Sequence, residues 1–420
     1  QRSRSAKEAI KVMTDLVKEY GYYSSGESFS IADPNEAWIM EMIGKGPGVK
    51  GAVWVAVRVP DDCIAAHANQ SRIHRFALDD KDNCLYSPDV ISFAREKGYF
   101  SGRNEDFSFA DAYCPLDFSG LRACEARVWS FYNMFSKTTG QAYLPYIQGE
   151  SKDPMPLYVK PDRKVSVRDI QHAMRDHYEG TPLDITKDLG AGCFASPYRL
   201  SPLTFNVNGQ EYFNERPIST QQSGFVFVSQ MRASMPDVVG GVLWFGLDDA
   251  NMTVFTPVYC QTDKVPYPYA KGNGDCVTFS WDSGFWIYNW VADMIRPRYS
   301  QMEGDMRTVQ NSLEDMFATA QKGIESTALE LYQQDPEKAR GFLTEYTSSA
   351  ANTAVASWKK LGEFLIVRYN DGVVKRVKDG QLQRPETGNT APYDRPGYPL
   401  DFLKQLVKAT GDRYKVKELK

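Results

Sequence analysis

The 420-residue sequence has no apolar run near the roughly 18 residues that a membrane-crossing helix needs, so it offers nothing that would span a membrane. It has no excess of positive charge. Lys and Arg number 49 against 53 Asp and Glu, the net charge is −4, and the basic residues are scattered rather than striped, which argues against a nucleic-acid partner. Seven cysteines (63, 84, 114, 124, 193, 260, 276) include no CxxC pair, which argues against a zinc knuckle. There are only four histidines. His172 and His177 lie five apart, a spacing that one helical face does not hold well, so no metal site is expected. There is no internal repeat and no low-complexity tract. The first residue is Gln1, which no translation starts with, so the lack of a signal peptide is uninformative. The compartment stays open between cytoplasmic and periplasmic or secreted. A disulfide between Cys84 and Cys114 stays open but is not favoured, and a homo-oligomer is equally open.

What is present is ordinary for a globular protein: 42% hydrophobic and 24% charged residues, with length enough for a large core. The stretch from Gly26 to Arg72 reads as four strands joined by short turns. Gly26 to Ala32 is closed by Asp33-Pro34-Asn35, Glu36 to Ile43 by a Gly-rich break, and Ala52 to Val59 by Pro60-Asp61-Asp62. Cys63 to Asn69 is the fourth. Short links imply an antiparallel meander. Ahead of it, Ser5 and Glu8 stand at capping-box spacing, and Ala6, Ile10, Met13, Val17 and Tyr20 form one helical stripe.

Further along, Phe225 to Gln230, Gly241 to Leu247 and Met252 to Val258 read as strands. Trp281 to Arg296 reads as a helix, and residues 304–358 as two or three more, broken near Asp335-Pro336. Residues 190–218 read as surface loops. Glu363 to Val377 reads as strand with an Asn370-Asp371-Gly372 hairpin turn. The class is α+β. Residues 1–378 are expected as one domain with a mainly helical part at 280–358, and residues 379–420 as a terminal loop and short helix.

The polar cluster His67-Ala68-Asn69-Gln70-Ser71-Arg72 falls at a strand end, where a scaffold can present chemistry. Asn69 is either a turn residue bonding its own backbone or an amide donor to a developing oxyanion. Cys63 and His67 are four residues apart on a strand, about 13 Å, too far for a nucleophile and its base. Thr220, Gln221 and Gln222 precede a strand, and Gln222 is a candidate substrate contact. Asp248 and Asp249 follow one; Asp248 is a candidate partner for a substrate ammonium, with a turn and cap as the plainer reading. Arg72 is a further candidate substrate contact.

Several of these stretches carry a family resemblance. SGESFSIADPNEAWIMEMIGKG with WVAVRVPDDCIAAHANQSRI, then MRDHYEGTPLDIT, STQQSGFVFVSQMR with VLWFGLDDANMTVFTPVY, and SWDSGFWIYNWVADMIRPRY resemble, in order, the cysteine dipeptidases of the N-terminal nucleophile hydrolases, relatives of the secernins. The resemblance implies an αββα sandwich and hydrolysis of small peptides without metal or cofactor. It implies a nucleophilic cysteine at a mature N-terminus whose own amine is the base, and Asn69 as oxyanion donor. Residues 1–420 do not contain that cysteine segment, so a separate N-terminal segment is an expected partner and this chain alone is expected to be inactive. A related acylase, or a binding protein without catalysis, is the alternative.

Overall fold

Asp33 shows how the first third of the chain folds. One carboxylate oxygen accepts the N–H groups of Asn35 (2.7 Å) and Glu36 (3.0 Å), closing the turn. The other accepts the N–H of Ala6 at 2.8 Å, which ties the first turn of helix α1 (Ala6–Tyr20) to the hairpin. Ser5 caps α1 by accepting from the N–H of Glu8. The hairpin strands are β1 (Gly26–Ala32) and β2 (Ala37–Gly44), and β3 (Ala52–Val59) follows on the far side of β2. All pair antiparallel, with Gly26 opposite Ile43 and Ala37 opposite Val59. Alternation sorts the two faces of β2. Trp38, Met40 and Met42 pack with Ala6 and Ile10 of α1, while Ile39 joins Val53, Val55, Ile73, Phe107 and Phe109 in a second cluster. The expected meander over α1 is therefore present.

Its fourth strand is not the expected one. After the turn at Pro60, only Ile64–Ala65 (β4) is paired, in a separate ladder with Tyr158–Val159 (β6). The free edge of β3 is taken instead by β5 (Cys84–Tyr86), with Val57 opposite Cys84. Residues 66–70 thus have no strand to pair with, and run as a loop. A π-helical turn at Gly120–Glu125 leads into helix α2 (Ala126–Phe135).

A second sheet has β7 (Phe225–Met231), β8 (Gly241–Leu247) and β9 (Thr256–Tyr259) in the order β9-β8-β7. The expected start of the last strand at Met252 is corrected: Ala250–Met252 is a short 3-10 turn. Helices α3 (Gly284–Ile295), α4 (Tyr299–Gln334) and α5 (Pro336–Tyr369) follow. Asp335 separates the last two, accepting from the N–H of Glu337 as Pro336 opens α5. The strand expected from Glu363 is helix to Tyr369. Leu361, Leu365 and Tyr369 are buried at helical spacing, and that burial overrides the β-branched character of Ile366 and Val367. Asn370-Asp371-Gly372 is then a 3-10 turn and not a hairpin. Within the region read as loops, Thr204–Val207 and Gln210–Phe213 form a hairpin. Asn208 and Gly209 both have positive φ (52° and 83°), as a two-residue hairpin turn requires.

The computed structural model describes residues 2–200 and 203–418, and these fall into two compact units. The first holds the chain up to Asp176 with Leu203–Ile218 and Met231–Ser234; the second holds the rest, so residues 379–420 lie within it. All seven cysteines are free thiols, so Cys84 and Cys114 are not bridged. No helix among the described residues is long and apolar enough to cross a membrane.

Gly362 marks the closest approach of α5 to α3. A Cβ built there would lie 2.3 Å from the Trp290 ring. Alanine gains up to about 1 kcal/mol of helix propensity, but overpacking costs about 1–3 kcal/mol, so Gly362→Ala is expected to destabilise by about 1–2 kcal/mol. Urea unfolding checks this; an unchanged or raised midpoint would mean that the ring moves aside freely.

Candidate functional site

The loop at residues 66–73 is clamped at its C-terminal end by two buried carboxylates. The first belongs to Glu41 on β2. Alternation puts Glu41 on the same face as Ile39, where it meets the loop's main chain. It accepts the N–H of Arg72 (2.6 Å), the N–H of Ile73 (3.2 Å) and the hydroxyl of Ser71. Burial pushes its carboxyl above the usual range, while these three donors and the Arg72 charge pull the other way. The second carboxylate is Glu125, delivered by the last residue of the π-helical turn. It accepts from Nε of Arg72 at 2.8 Å.

Arg72 is 3% exposed, and each of its donors has an acceptor. Nη1 donates to the carbonyl of Ala66 (3.0 Å) and, more weakly, to the Tyr132 hydroxyl (3.4 Å). Nη2 reaches the carbonyls of Pro156 (3.1 Å) and Met155 (3.4 Å). A direct substrate contact was the expectation from sequence. The guanidinium is instead committed inside the protein, because Glu125 and three carbonyls converge on it.

Asn69 is exposed at the crest of this loop. Its Oδ1 accepts from Nη2 of Arg127, the second residue of α2, at 2.8 Å. Guanidinium groups only donate, so this bond fixes which way the amide faces. The Nδ2 donor is turned from Arg127 and makes no hydrogen bond among the described residues. Asn69 lines a cleft of about 620 Å³ together with Gly26 and Ser28 of β1, Glu41, His67 and Gln70. Gln70, buried beside it, donates to the Cys114 carbonyl at 2.7 Å. Gly120 admits it, since a Cβ there would stand 2.4 Å from the Gln70 Oε1.

The Cys63–His67 pair is not a dyad. His67 Nε2 is engaged by the Ser30 hydroxyl at 2.8 Å. Burial, helped by the Arg72 charge, pushes its imidazole towards the neutral form, and burial together with Asp62 pushes the Cys63 thiol up.

In the second unit, Gln222 is exposed, and its neighbour Gln221 donates to the Arg199 carbonyl at 2.7 Å. Asp248 follows β8 with positive φ (65°) and is 2% exposed. It accepts from Nδ2 of Asn289 at 3.0 Å, and its own N–H donates to the Gly224 carbonyl. Burial raises its carboxyl to about 6. Among these residues, sequence reasoning missed Glu41, Glu125 and Arg127. Glu41 carried a readable signal: a lone acid among apolar residues on a strand whose alternation says buried. Arg127 carried none, since its partner is 58 residues away.

Residues 1–312 match the family model of peptidase family C69. The chain belongs to this family. Among curated relatives it is 28% identical to a "Probable dipeptidase" of Salmonella dublin over 61% of this chain and 52% of that one. It is 25% identical to a "Probable dipeptidase" of Latilactobacillus sakei over 77% and 62%. With "Probable dipeptidase B" of Lactococcus lactis it shares 27% identity over 76% and 63%. The chain thus spans between half and two-thirds of the length of these relatives. As a C69 member it carries the cleft and Asn69 within the matched residues.

Two outcomes are expected. Glu125→Gln leaves the Arg72 charge buried without its counter-charge, a change that typically costs about 3–5 kcal/mol. Chemical denaturation measures it, and a loss under about 1 kcal/mol would mean that Arg72 finds water. Asp248 has a folded pKa of about 6, above its ordinary 3.8. Its protonation therefore contributes stability that is full below pH ~4 and lost as pH rises through ~6, about 3 kcal/mol in all. Asn tolerates the positive φ, so Asp248→Asn should remove this part of the pH slope. Identical slopes for the two proteins would rule out the buried carboxylate as its source.

Proposed function

We propose that the protein hydrolyses dipeptides, with Asn69 as a donor to the oxyanion. The observation that carries this reading is the 2.8 Å bond from Arg127 to the Asn69 Oδ1, which leaves the Nδ2 donor unengaged on a cleft. Membership of family C69 and the names of the relatives support the substrate class. On this reading the nucleophile is an N-terminal cysteine on a segment outside residues 1–420. Its thiol sulfur attacks the peptide carbonyl, its α-amine takes the thiol proton, and the carbonyl oxygen gains the negative charge. Asn69 donates to that oxygen. Its amide is already oriented by Arg127, so little reorganisation is required as the charge forms. Collapse breaks the C–N bond, the amine leaves with the proton, and water releases the acyl-enzyme. No cofactor enters, and neither Cys63 nor His67 replaces the nucleophile.

Arg72 serves by position, holding the loop that carries Asn69. Gln222 is proposed as a substrate contact and Asp248 as the receiver of an ammonium group.

The test is Asn69→Ala in the complete protein with a dipeptide substrate. Losing one oxyanion donor typically lowers kcat about 10²–10³-fold. A donor stronger in the transition state than in the ground state should leave KM within a few-fold. A turn asparagine would instead lower stability by about 0.5–2 kcal/mol and leave the turnover of folded enzyme nearly intact, and that result would remove Asn69 from the mechanism.

A further inference from the structure

Around Tyr198 in the second unit, buried charges stand at ion-pair distance without hydrogen bonds between them. Arg296 is 9% exposed. Its guanidinium lies over the Tyr198 ring, 5.4 Å from the centroid, and Nη1 donates to Asp293. The opposite edge, Nε with Nη2, has no hydrogen-bond partner. Nη2 stands 3.9 Å from Oδ2 of Asp248 and 3.9 Å from Oδ2 of Asp249. Neither of those carboxylate oxygens has a hydrogen-bond partner, although both residues are almost wholly buried. Their other oxygens are occupied, Asp248 by Asn289 and Asp249 by the Ser219 hydroxyl and the N–H of Asn251, and the Tyr198 hydroxyl also interacts with Asp249.

A closed Arg–carboxylate pair would sit at about 2.7–2.9 Å, so this is not one. The Nε–Nη2 edge is the planar fork that grips a carboxylate through two parallel bonds. The two Oδ2 atoms beside it are acceptors suited to an ammonium. Receptors for both halves of a zwitterion thus stand side by side. The spacing decides which zwitterion. The receptor for each charge lies 3.9 Å from the other, whereas the ends of an extended dipeptide are about 7 Å apart at ~3.3–3.6 Å per residue. An α-amino acid carries its ammonium and its carboxylate on one carbon and so matches this spacing, where a dipeptide does not.

We propose that Arg296, Asp248 and Asp249 form a binding site for a free α-amino acid, its carboxylate on the Nε–Nη2 edge and its ammonium between the two Oδ2 atoms. The site rests on the ammonium role given to Asp248 above but not on catalysis, and in a dipeptidase its ligand would be a product.

Calorimetric titration and thermal-shift measurements with L-alanine, N-acetyl-L-alanine and L-alaninamide test this on the unaltered protein. L-Alanine should bind saturably and raise the Tm. Each blocked compound, lacking one charge, should bind at least tenfold more weakly. Arg296→Gln should abolish the preference for alanine over alaninamide, and Asp248→Asn should weaken alanine several-fold. No saturable binding of alanine, meaning a closed internal ion pair only, would overturn the site. So would equal binding of all three compounds. Because these readouts involve no turnover, failure here would leave the Asn69 result standing, and a catalytic failure at Asn69 would leave this one.

Discussion

The loop that carries Asn69 depends on a charge that has nowhere else to go. A guanidinium has five N–H donors and cannot be deprotonated, so burying Arg72 commits the fold to supplying acceptors on every side. Apart from Ala66 in the same loop, they come from places remote in sequence: Glu125, Tyr132, Met155 and Pro156. Three stretches of chain must therefore meet at one point in one arrangement. Such a pair contributes little net stability, because the attraction mainly offsets desolvation. What it supplies is exactness of position, since any slip of the loop would strand a buried charge.

Glu41 answers the same need from the main-chain side. Strand alternation places one acid among apolar residues on the inner face of β2, and the N–H groups of Arg72 and Ile73 converge on it. One carboxylate thus holds the side chain of Arg72 and another holds its backbone. Rigidity here bears on the chemistry proposed for Asn69. An oxyanion donor is effective to the extent that it is already in place when charge develops, and loops seldom offer that without such support. The Arg127 bond adds the last degree of freedom, the sense of the amide itself.

Strands β1 to β3 of the meander and helix α1 were legible because each is encoded locally. Asp33-Pro34-Asn35 closes its turn with its own side chain, and the α1 stripe is complete within fifteen residues. The fourth strand was not legible. Cys63–Asn69 has strand character, but which segment occupies the edge of β3 is a contest with Cys84–Tyr86, decided over twenty residues away. The end of α5 failed for a related reason: Ile366 and Val367 favour strand locally, while burial of Leu365 and Tyr369 favours helix. The clamp was invisible because Glu125 and Arg127 acquire meaning only when a π-helical turn brings them to the loop. The Asn208-Gly209 hairpin was a different case, a readable turn lost among neighbouring Gly and Pro residues.

The two units treat a buried arginine in opposite ways, and the difference bears on function. Around Arg72 every donor has an acceptor, and a fully satisfied network resists change. Around Arg296 one edge of the guanidinium and two carboxylate oxygens remain without hydrogen bonds. Asp248 adds a positive φ and a carboxyl raised to about 6, both unfavourable to the fold. Neutral Asn at that position would keep the turn and the acceptor for Asn289 while shedding the buried charge, so stability alone does not explain an aspartate. Charges left incomplete where a neutral residue would serve the fold better are what a site looks like before its ligand arrives. The first unit uses buried charge to fix a loop; in the second, on the proposal made above, it is left open to a ligand.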